Sequence, residues 1–410
     1  MKILIVSQNF YPDEFKINDI ATSFVKSGHE VTVLTGLGDY STGKVPKRYR
    51  LFKNRNEQLN GVKIHRVRAI ARRTGPIFRS LNYMSFAING WFWGKWQRQK
   101  FDIVYVYMIS PVTMGIPAMA VAKKQHIPLA IYNLDLWPES VKAMRINENN
   151  IAFPIIHKMS RSIYKAADTI AVSSVPFIDY LEKVNQIASE RVRFIPQYAD
   201  EQTDIQDDKA IIKNKAKNNF VFTGNIGLVQ DIETIIDAVA ALKKRGVQST
   251  AIRIHLVGDG SQLQAIKDMV LKMALTDYII FYGRQPSSHM AYFYKEADAC
   301  LLTLKNENMI GATIPAKLQG YMAAHKPVIA AIDGDAKRVI MESKCGFQTT
   351  ASDAQGLADI LLNFMKLTGP ERDELGENGY NYFEKYSTKQ RFMMDTEQWL
   401  LNAIDERGDK

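Results

Sequence analysis

NFVFTGNIGLVQDIETIIDAVAALKKRG, residues 219–246, decides the fold class of this chain. It opens on an apolar, β-favouring run and passes through a small-residue turn at 224–227. It then repeats apolar side chains at Ile232, Ile235, Ile236, Val239 and Leu242. Spacings of three and four place those five on one helical face, so the stretch reads as strand, tight turn and helix, the unit from which parallel sheets are built.

The unit recurs in both directions. Downstream, strands are predicted at 252–257, 278–282, 299–304 and 327–331, each followed by a helical pattern. Upstream, strands are predicted at 2–6, 31–35, 63–67, 103–107, 129–133, 169–173 and 193–195. Between the first two, residues 15–27 carry Ile17, Ile20, Ala21, Phe24 and Val25 at helical spacing and stop at Gly28, which can take the left-handed conformation that ends a helix. Residues 201–219, EQTDIQDDKAIIKNKAKNN, interrupt the alternation with mixed charge and few apolar groups. The expectation is therefore an α/β chain of two Rossmann-like domains: 1–200, a linker at 201–218, and 219–385. A C-terminal helix at 386–410 is expected to pack back on the first domain. A ligand is expected beyond the carboxyl ends of the strands, between the domains.

The 410 residues, 46% apolar and 23% charged, suit two globular domains and exclude a disordered or fibrous chain. Charge is uneven: residues 1–200 hold 28 basic and 15 acidic side chains, whereas 201–410 hold 25 and 28. Residues 51–100 carry 11 basic side chains against the single acid Glu57, a surface suited to phosphates, acidic lipid or nucleic acid, or merely a solvated face. Two cysteines, Cys300 and Cys345, exclude a disulfide framework and fit a reducing compartment. MKILIVSQNF has too short an apolar run for a secretory signal and reads as the first strand. Residues 103–122 are twenty without a charge, but β-rich IVYVYM, Ser110-Pro111 and Pro117 read as strand, turn and helix rather than a membrane span.

No dinucleotide fingerprint follows the first strand of either half. There is also no P-loop, no zinc-ligand spacing and no nucleophile elbow, which removes most nicotinamide enzymes, P-loop ATPases, zinc hydrolases and serine hydrolases. Three glycine turns stand out instead: Gly224-Asn225-Ile226-Gly227, Gly258-Asp259-Gly260 and Gly283-Arg284, each at the end of a predicted strand of the second domain. Such turns offer backbone N–H groups and a helix N-terminus to an anion, although a plain βα turn looks similar. Thr313-Ile314-Pro315-Ala316-Lys317 heads a later helix, with Thr313 as its cap, Pro315 in its first turn and Lys317 near a bound phosphate or on a solvated face. His325 ends that helix, where a left-handed residue is needed. In the first domain, Tyr11-Pro12-Asp13-Glu14 follows strand one and Asp135-Leu136-Trp137-Pro138-Glu139 follows the strand at 129–133. Asp135 and Glu139 either face the ligand or cap the next helix.

With these residues in place, the chain resembles the retaining glycosyltransferases of family 4, of GT-B fold, over nearly its whole length. The similarity is carried by NFYPDE, SGHEVTVLTG, DLWPES, AADTIAVSS and VRFIPQYAD, then by FTGNIG, HLVGDG, IIFYGR, EADACLLTL and YMAAHKPVIA. DLWPES and PAKLQ point to the bacterial surface-polysaccharide branch. The resemblance implies two Rossmann-like domains facing across a cleft and a nucleotide-diphosphate sugar, UDP-linked by preference, held by Gly224, Asn225, Gly227, Gln230, Gly258, Asp259, Arg284, Thr313 and Lys317. It implies an acceptor near Glu14 and Asn18, Asp135 and Glu139 as catalytic carboxylates, and neither metal nor cofactor. The chain departs from the family where an Arg and a Lys are usual, at Asn225 and Gln230, and where a glutamate pair is usual, at Ala312 and Gly320. Arg284 and Lys317 are left to supply the positive charge, and Glu307 is too far along the loop to replace a carboxylate readily.

Arg72, Arg73, Trp91, Trp93, Lys95 and Trp96 belong to an aromatic, basic segment that suits a lipid interface, or else a core helix with a basic rim. A lipid-linked polyprenyl-diphosphate glycan as acceptor, on the cytoplasmic leaflet, would account for it. The function expected is transfer of a sugar to such a glycan in capsule, O-antigen or exopolysaccharide synthesis, by a peripheral protein. The rival expectation is a catalytically silent GT-B partner that binds nucleotide or scaffolds another transferase. A nucleic-acid partner is not expected, since the acidic balance of the second half opposes it.

Overall fold

The computed structural model describes residues 1–38, 40, 43–73, 75–144, 146, 148–199, 211–306 and 313–408. The chain divides into two compact units, Met1–Ile195 with Met393–Lys410, and Pro196–Phe392.

The first unit contains strands β1 (Lys2–Val6), β2 (Glu30–Thr35), β3 (Asn56–Leu59), β4 (Val62–Arg66), β5 (Ile103–Met108), β6 (Leu129–Asn133), β7 (Thr169–Val172) and β8 (Val192–Phe194). Its helices are α1 (Lys16–Lys26), α2 (Pro76–Trp96), α3 (Gly115–Gln125), α4 (Ala152–Ala166) and α5 (Pro176–Lys183). They form one sheet in the order β3-β4-β2-β1-β5-β6-β7-β8, parallel except for the β3–β4 hairpin at its edge. β1, β5 and β6 are buried along almost their whole length, as strands covered on both faces must be.

The strand β3 has no apolar alternation and lies outside the sequence expectation; long-range chemistry holds it. Arg66 is fully buried, and its guanidinium donates to Glu57 Oε1 and to the carbonyl oxygens of Gly36 (3.1 Å) and Tyr11 (2.6 Å). Burial alone would raise the Glu57 carboxyl, but the hydrogen bonds and charge of Arg66, the Tyr49 hydroxyl and Arg48 bring it below the usual range. The single acid of the basic segment is thus the counter-charge that ties the hairpin to the loops following β1 and β2.

The second unit contains β9 (Asn218–Thr223), β10 (Ile252–Val257), β11 (Ile279–Gly283), β12 (Ala299–Thr303), β13 (Val328–Ala331) and β14 (Gly346–Thr349). Its helices are α6 (Ile232–Lys244), α7 (Leu263–Lys272), α8 (Met290–Glu296), α9 (Ala316–Ala323), α10 (Gly334–Ser343), α11 (Ala354–Phe364) and α12 (Gly369–Tyr386). All six strands are parallel, in the order β11-β10-β9-β12-β13-β14. One core takes Phe220, Ile235, Leu242, Ile254 and Leu361, and another takes Val221, Phe293, Leu302, Leu318 and Tyr321, so β9 feeds alternate side chains to both. β14 was also outside the sequence expectation. Its Gly346 runs so close to β13 that a β-carbon would stand 1.8 Å from Val328 O.

The last helix, α13 (Lys389–Gly408), begins in the second unit and continues in the first, so residues 386–392 lie with the second unit rather than with the first as expected. Within the first unit Trp399 Nε1 donates to Thr169 Oγ1 (2.8 Å), His29 Nε2 meets Glu397 (3.0 Å), and Arg407 pairs with Asp168. Among the described residues no helix is long and apolar enough to cross a membrane.

Candidate active site

At the carboxyl ends of β9, β10 and β11 the three glycine turns are stitched to one another. Gly224 N donates to Val257 O (2.9 Å), Ile226 N to Asp259 O (2.9 Å) and Gly258 N to Gly283 O (2.9 Å). Side chains are excluded here: Gly224 and Gly258 have φ of 130° and 151°, and a β-carbon on Gly258 would stand 1.7 Å from Gly224 O. The turns border a cavity of about 570 Å³ lined by Gly224, Asn225, Gly258, Asp259 and Arg284, together with Gln285 and Met290, which no sequence motif marks.

The stitching corrects one expectation. The amides of Gly224 and Ile226 are spent on neighbouring turns and are not presented to an anion. The mouth of α6 is unsuitable as well, because its N-cap Asp231 is buried with a carboxylate that accepts from Thr234 Oγ1 (2.8 Å) and Ser352 Oγ (2.7 Å). A phosphate there would meet a like charge.

Positive charge comes from α9. Lys317 extends beneath the first turn, with Nζ 4.0 Å from the centroid of the Phe222 ring and 3.3 Å from where a Gly224 β-carbon would lie. Its ammonium is buried and has no hydrogen-bond partner among the described residues. Burial lowers its pKa to about 7. An unpaired buried cation is destabilising, and an arriving anion would relieve it. The solvated-face reading of Lys317 is therefore wrong. Arg284 is exposed on the cavity wall.

Thr313 does not cap α9: the N-cap is Pro315, with Thr313 two residues before it. Ala312 and Glu307, where the carboxylate question falls, lie outside the described residues, as does 201–210 of the expected linker. Gly320 faces Tyr294, whose hydroxyl would be 4.0 Å from an added β-carbon.

Asn225 and Gln230 stand where the resemblance implies Arg and Lys, and they bond to each other. Asn225 Nδ2 donates to Gln230 Oε1 (3.1 Å) across Gly227, whose β-carbon would lie 2.6 Å from that nitrogen. The Gln230 carbonyl accepts from Thr303 Oγ1 (2.6 Å), fixing the loop to β12. Below, Thr223 is held by two tyrosines: its N–H donates to Tyr321 Oη (3.1 Å) and its hydroxyl meets Tyr294 Oη (3.0 Å). Tyr321 lies four residues after Lys317, on the same helix face, a spacing that could have marked it; Tyr294 has no local signal.

In the first unit the two expected carboxylates have different surroundings. Both oxygens of Glu139 are engaged, one by Tyr180 Oη (3.0 Å) and one by Lys142 Nζ (2.7 Å). That arrangement ties the Glu139 carboxylate into its own loop. Asp135 is raised above the ordinary range by burial, partly offset by a hydrogen bond with Ser110. Trp137 Nε1 also donates to Ser110 Oγ (3.1 Å), so DLWPES is anchored to the loop after β5. Asn18 is a loop clamp: it accepts from Tyr11 N (3.1 Å) and donates to Asp13 O (2.8 Å), while Glu14 is exposed.

Of the expected lipid contacts, Trp91, Lys95 and Trp96 are exposed on α2, with Lys95 Nζ 5.7 Å from the Trp91 ring. Trp93 turns inward and stacks on His65 (5.1 Å between centroids). Arg72 covers Tyr40 and Arg73 covers Phe78.

Two parallel α/β sheets, with glycine turns at the strand ends of the second, are matched by two family models. "Glycosyl transferase 4-like domain" spans residues 16–197 and "Glycosyl transferases group 1" spans 204–382. The chain belongs to the GT-B glycosyltransferases. Among curated relatives, a probable glycosyltransferase WbjE of Pseudomonas aeruginosa is 30% identical over 273 residues, 62% of this chain and 65% of that protein. The match thus spans slightly under two thirds of that relative. A putative colanic acid biosynthesis glycosyl transferase WcaI of Escherichia coli is 21% identical over 348 residues, 79% of this chain and 81% of that protein. Among solved structures, sucrose-phosphate synthase from Thermosynechococcus elongatus aligns with a TM-score of 0.72 at 15% identity, over 98% of this chain and 99% of that one. HepE of Anabaena, solved with UDP and glucose, aligns with a TM-score of 0.68 at 16% identity, over 98% and 99%. At such identities these alignments establish the shared GT-B fold and nothing finer.

Proposed function

We propose that this GT-B glycosyltransferase moves a sugar from a nucleoside-diphosphate donor, UDP-linked by preference, to a lipid-linked glycan in bacterial surface-polysaccharide synthesis, with retention of anomeric configuration. The observation that carries the donor assignment is the buried ammonium of Lys317 beneath the Gly224 turn, without a hydrogen-bond partner among the described residues. A diphosphate would give that cation its partner, and Arg284 stands at the cavity wall to take a second oxygen. Stabilising the departing diphosphate by fixed cations, without a metal, lowers the barrier to breaking the bond between the sugar's anomeric carbon and the phosphate oxygen. The first domain takes the acceptor, and Asp135, its carboxyl raised by burial, is the candidate for proton handling there. The kinship to proteins described as acting in colanic acid biosynthesis, and the basic first half, support a polysaccharide on a lipid carrier at the inner membrane face.

Calorimetric titration with UDP tests the donor site. Lys317→Ala is expected to weaken binding at least tenfold, about 1.4 kcal/mol or more. Unchanged binding and turnover in that variant would remove the assignment. The second reading, a nucleotide-binding partner without turnover, is favoured by the neutral Asn225–Gln230 pair and by Gly320. Hydrolysis or transfer with any of a panel of nucleotide sugars would dismiss it.

A further inference from the structure

The helix α2 is amphipathic in the reverse of the usual sense. Its buried face carries the small or polar residues Asn82, Ala87, Gly90 and Gly94 along with Phe86. Gly90 and Gly94 let it lie directly on α3, where a β-carbon would meet Pro117 at 2.9 Å and Val121 at 3.0 Å. Its exposed face carries Ile77, Leu81, Met84, Ile88, Phe92 and Trp96, at spacings of four, three, four, four and four, a continuous apolar stripe along one side. Trp96 is 78% exposed, Ile77 73% and Ile88 50%. Single exposed apolar residues are ordinary, but an aligned row of six on one helix is not.

Charge indicates what covers it. The stripe has no acidic residue, and its ends are basic: Arg73 and Arg79 at the start, Lys95, Arg98 and Lys100 at the end, all exposed. A second copy of the chain, laid stripe to stripe, would bring like charges together; an acidic bilayer would not. The helix has 21 residues, yet no described helix is apolar enough to span a membrane, so a helix lying in the interface plane fits and a crossing one does not.

We propose that the outward stripe of α2 seats this protein on an anionic lipid leaflet, with Ile88 and Phe92 buried among the acyl chains and the terminal Arg and Lys side chains at the headgroups. The surface differs from the one expected from sequence, since Trp93 is not part of it. Its meaning depends on the proposed lipid-linked acceptor; its test does not.

The test is co-sedimentation of the full chain with vesicles of mixed phosphatidylcholine and phosphatidylglycerol, against phosphatidylcholine alone, over a range of salt. Binding is expected only with the anionic lipid and is expected to fall as salt rises. Ile88→Glu with Phe92→Glu should reduce it at least tenfold while leaving UDP titration and the circular dichroism spectrum unchanged, because both side chains point away from the core. Lys95→Glu with Arg98→Glu should weaken it and flatten the salt dependence. Wild-type protein that stays in the supernatant, or a double glutamate variant that sediments like wild type, would overturn the proposal. So would a dimer in the absence of lipid that Ile88→Glu dissociates, since the stripe would then serve a second copy. Vesicle binding by a chain that takes up no UDP would sink the donor reading and leave this one standing.

Discussion

Lys317 is a residue placed at a cost to stability. Its pKa of about 7 lies far below the ordinary lysine value, so the folded protein binds fewer protons than the unfolded chain between pH 7 and the usual lysine range. Its contribution to stability therefore rises with pH across that window, and below it the full penalty of a buried cation applies. Lys317→Met should raise the stability of the ligand-free protein by a few kcal/mol at pH 6, measured by urea unfolding, although it binds UDP more weakly. A bound diphosphate restores the proton, so UDP affinity should fall up to about tenfold per pH unit above pH 7. Titrations at pH 7 and pH 8 should show this fall in wild type and not in Lys317→Met. Glu57, by contrast, stabilises the fold. Its depressed carboxyl stabilises the fold above the ordinary glutamate range and ceases to do so as pH drops through its folded value. Glu57→Gln leaves the buried Arg66 charge underpaired and should cost about 3 kcal/mol in a denaturant melt. Lys317 is defined by Phe222 and the Gly224 turn, far away in sequence, and Glu57 by the burial of Arg66 across the hairpin, so no local periodicity marks either role. Lys317 was marked only by its place in a motif.

At the level of elements, the parallel strands of both sheets were legible because apolar runs and glycine or proline boundaries are local features. Their ends shift by a residue or so, as between the expected 278–282 and the observed β11. The strands that escaped, β3 and β14, owe their existence to pairing rather than to pattern: β3 to Arg66 and β4, β14 to the close pass of Gly346 beside β13. The three glycine turns were visible as a set, but their mutual stitching was not, and it decides which amides remain for a ligand. Gly258→Ala should therefore abolish UDP binding and cost well over 2 kcal/mol, because its β-carbon would overlap the Gly224 carbonyl and its φ of 151° disfavours any side chain. Calorimetry and a thermal melt would both register the change. For α2, composition disclosed an aromatic, basic helix, whereas only packing against α3 settled that Trp93 turns in and Ile88 turns out.

For the whole molecule, two units imply two unfolding events and not one. UDP, if held by the second unit, should raise the melting temperature of one calorimetric transition and leave the other in place. Trp399 docks α13 on the first unit through Thr169 and the edge of Tyr105. Trp399→Ala should lower the other transition, by about 3 kcal/mol at its midpoint, without changing UDP affinity. By itself the sequence determined the two α/β domains, the glycine turns and the uneven charge, because periodicity, turn chemistry and net charge are properties of neighbouring residues. Tertiary structure alone decided that the Lys317 ammonium is buried without a hydrogen-bond partner among the described residues, that Asn225 bonds to Gln230, that Glu139 is tied to Tyr180 and Lys142, and which side of α2 faces outward. Each of these depends on the solvation and company of a side chain, which is fixed only when distant segments pack around it.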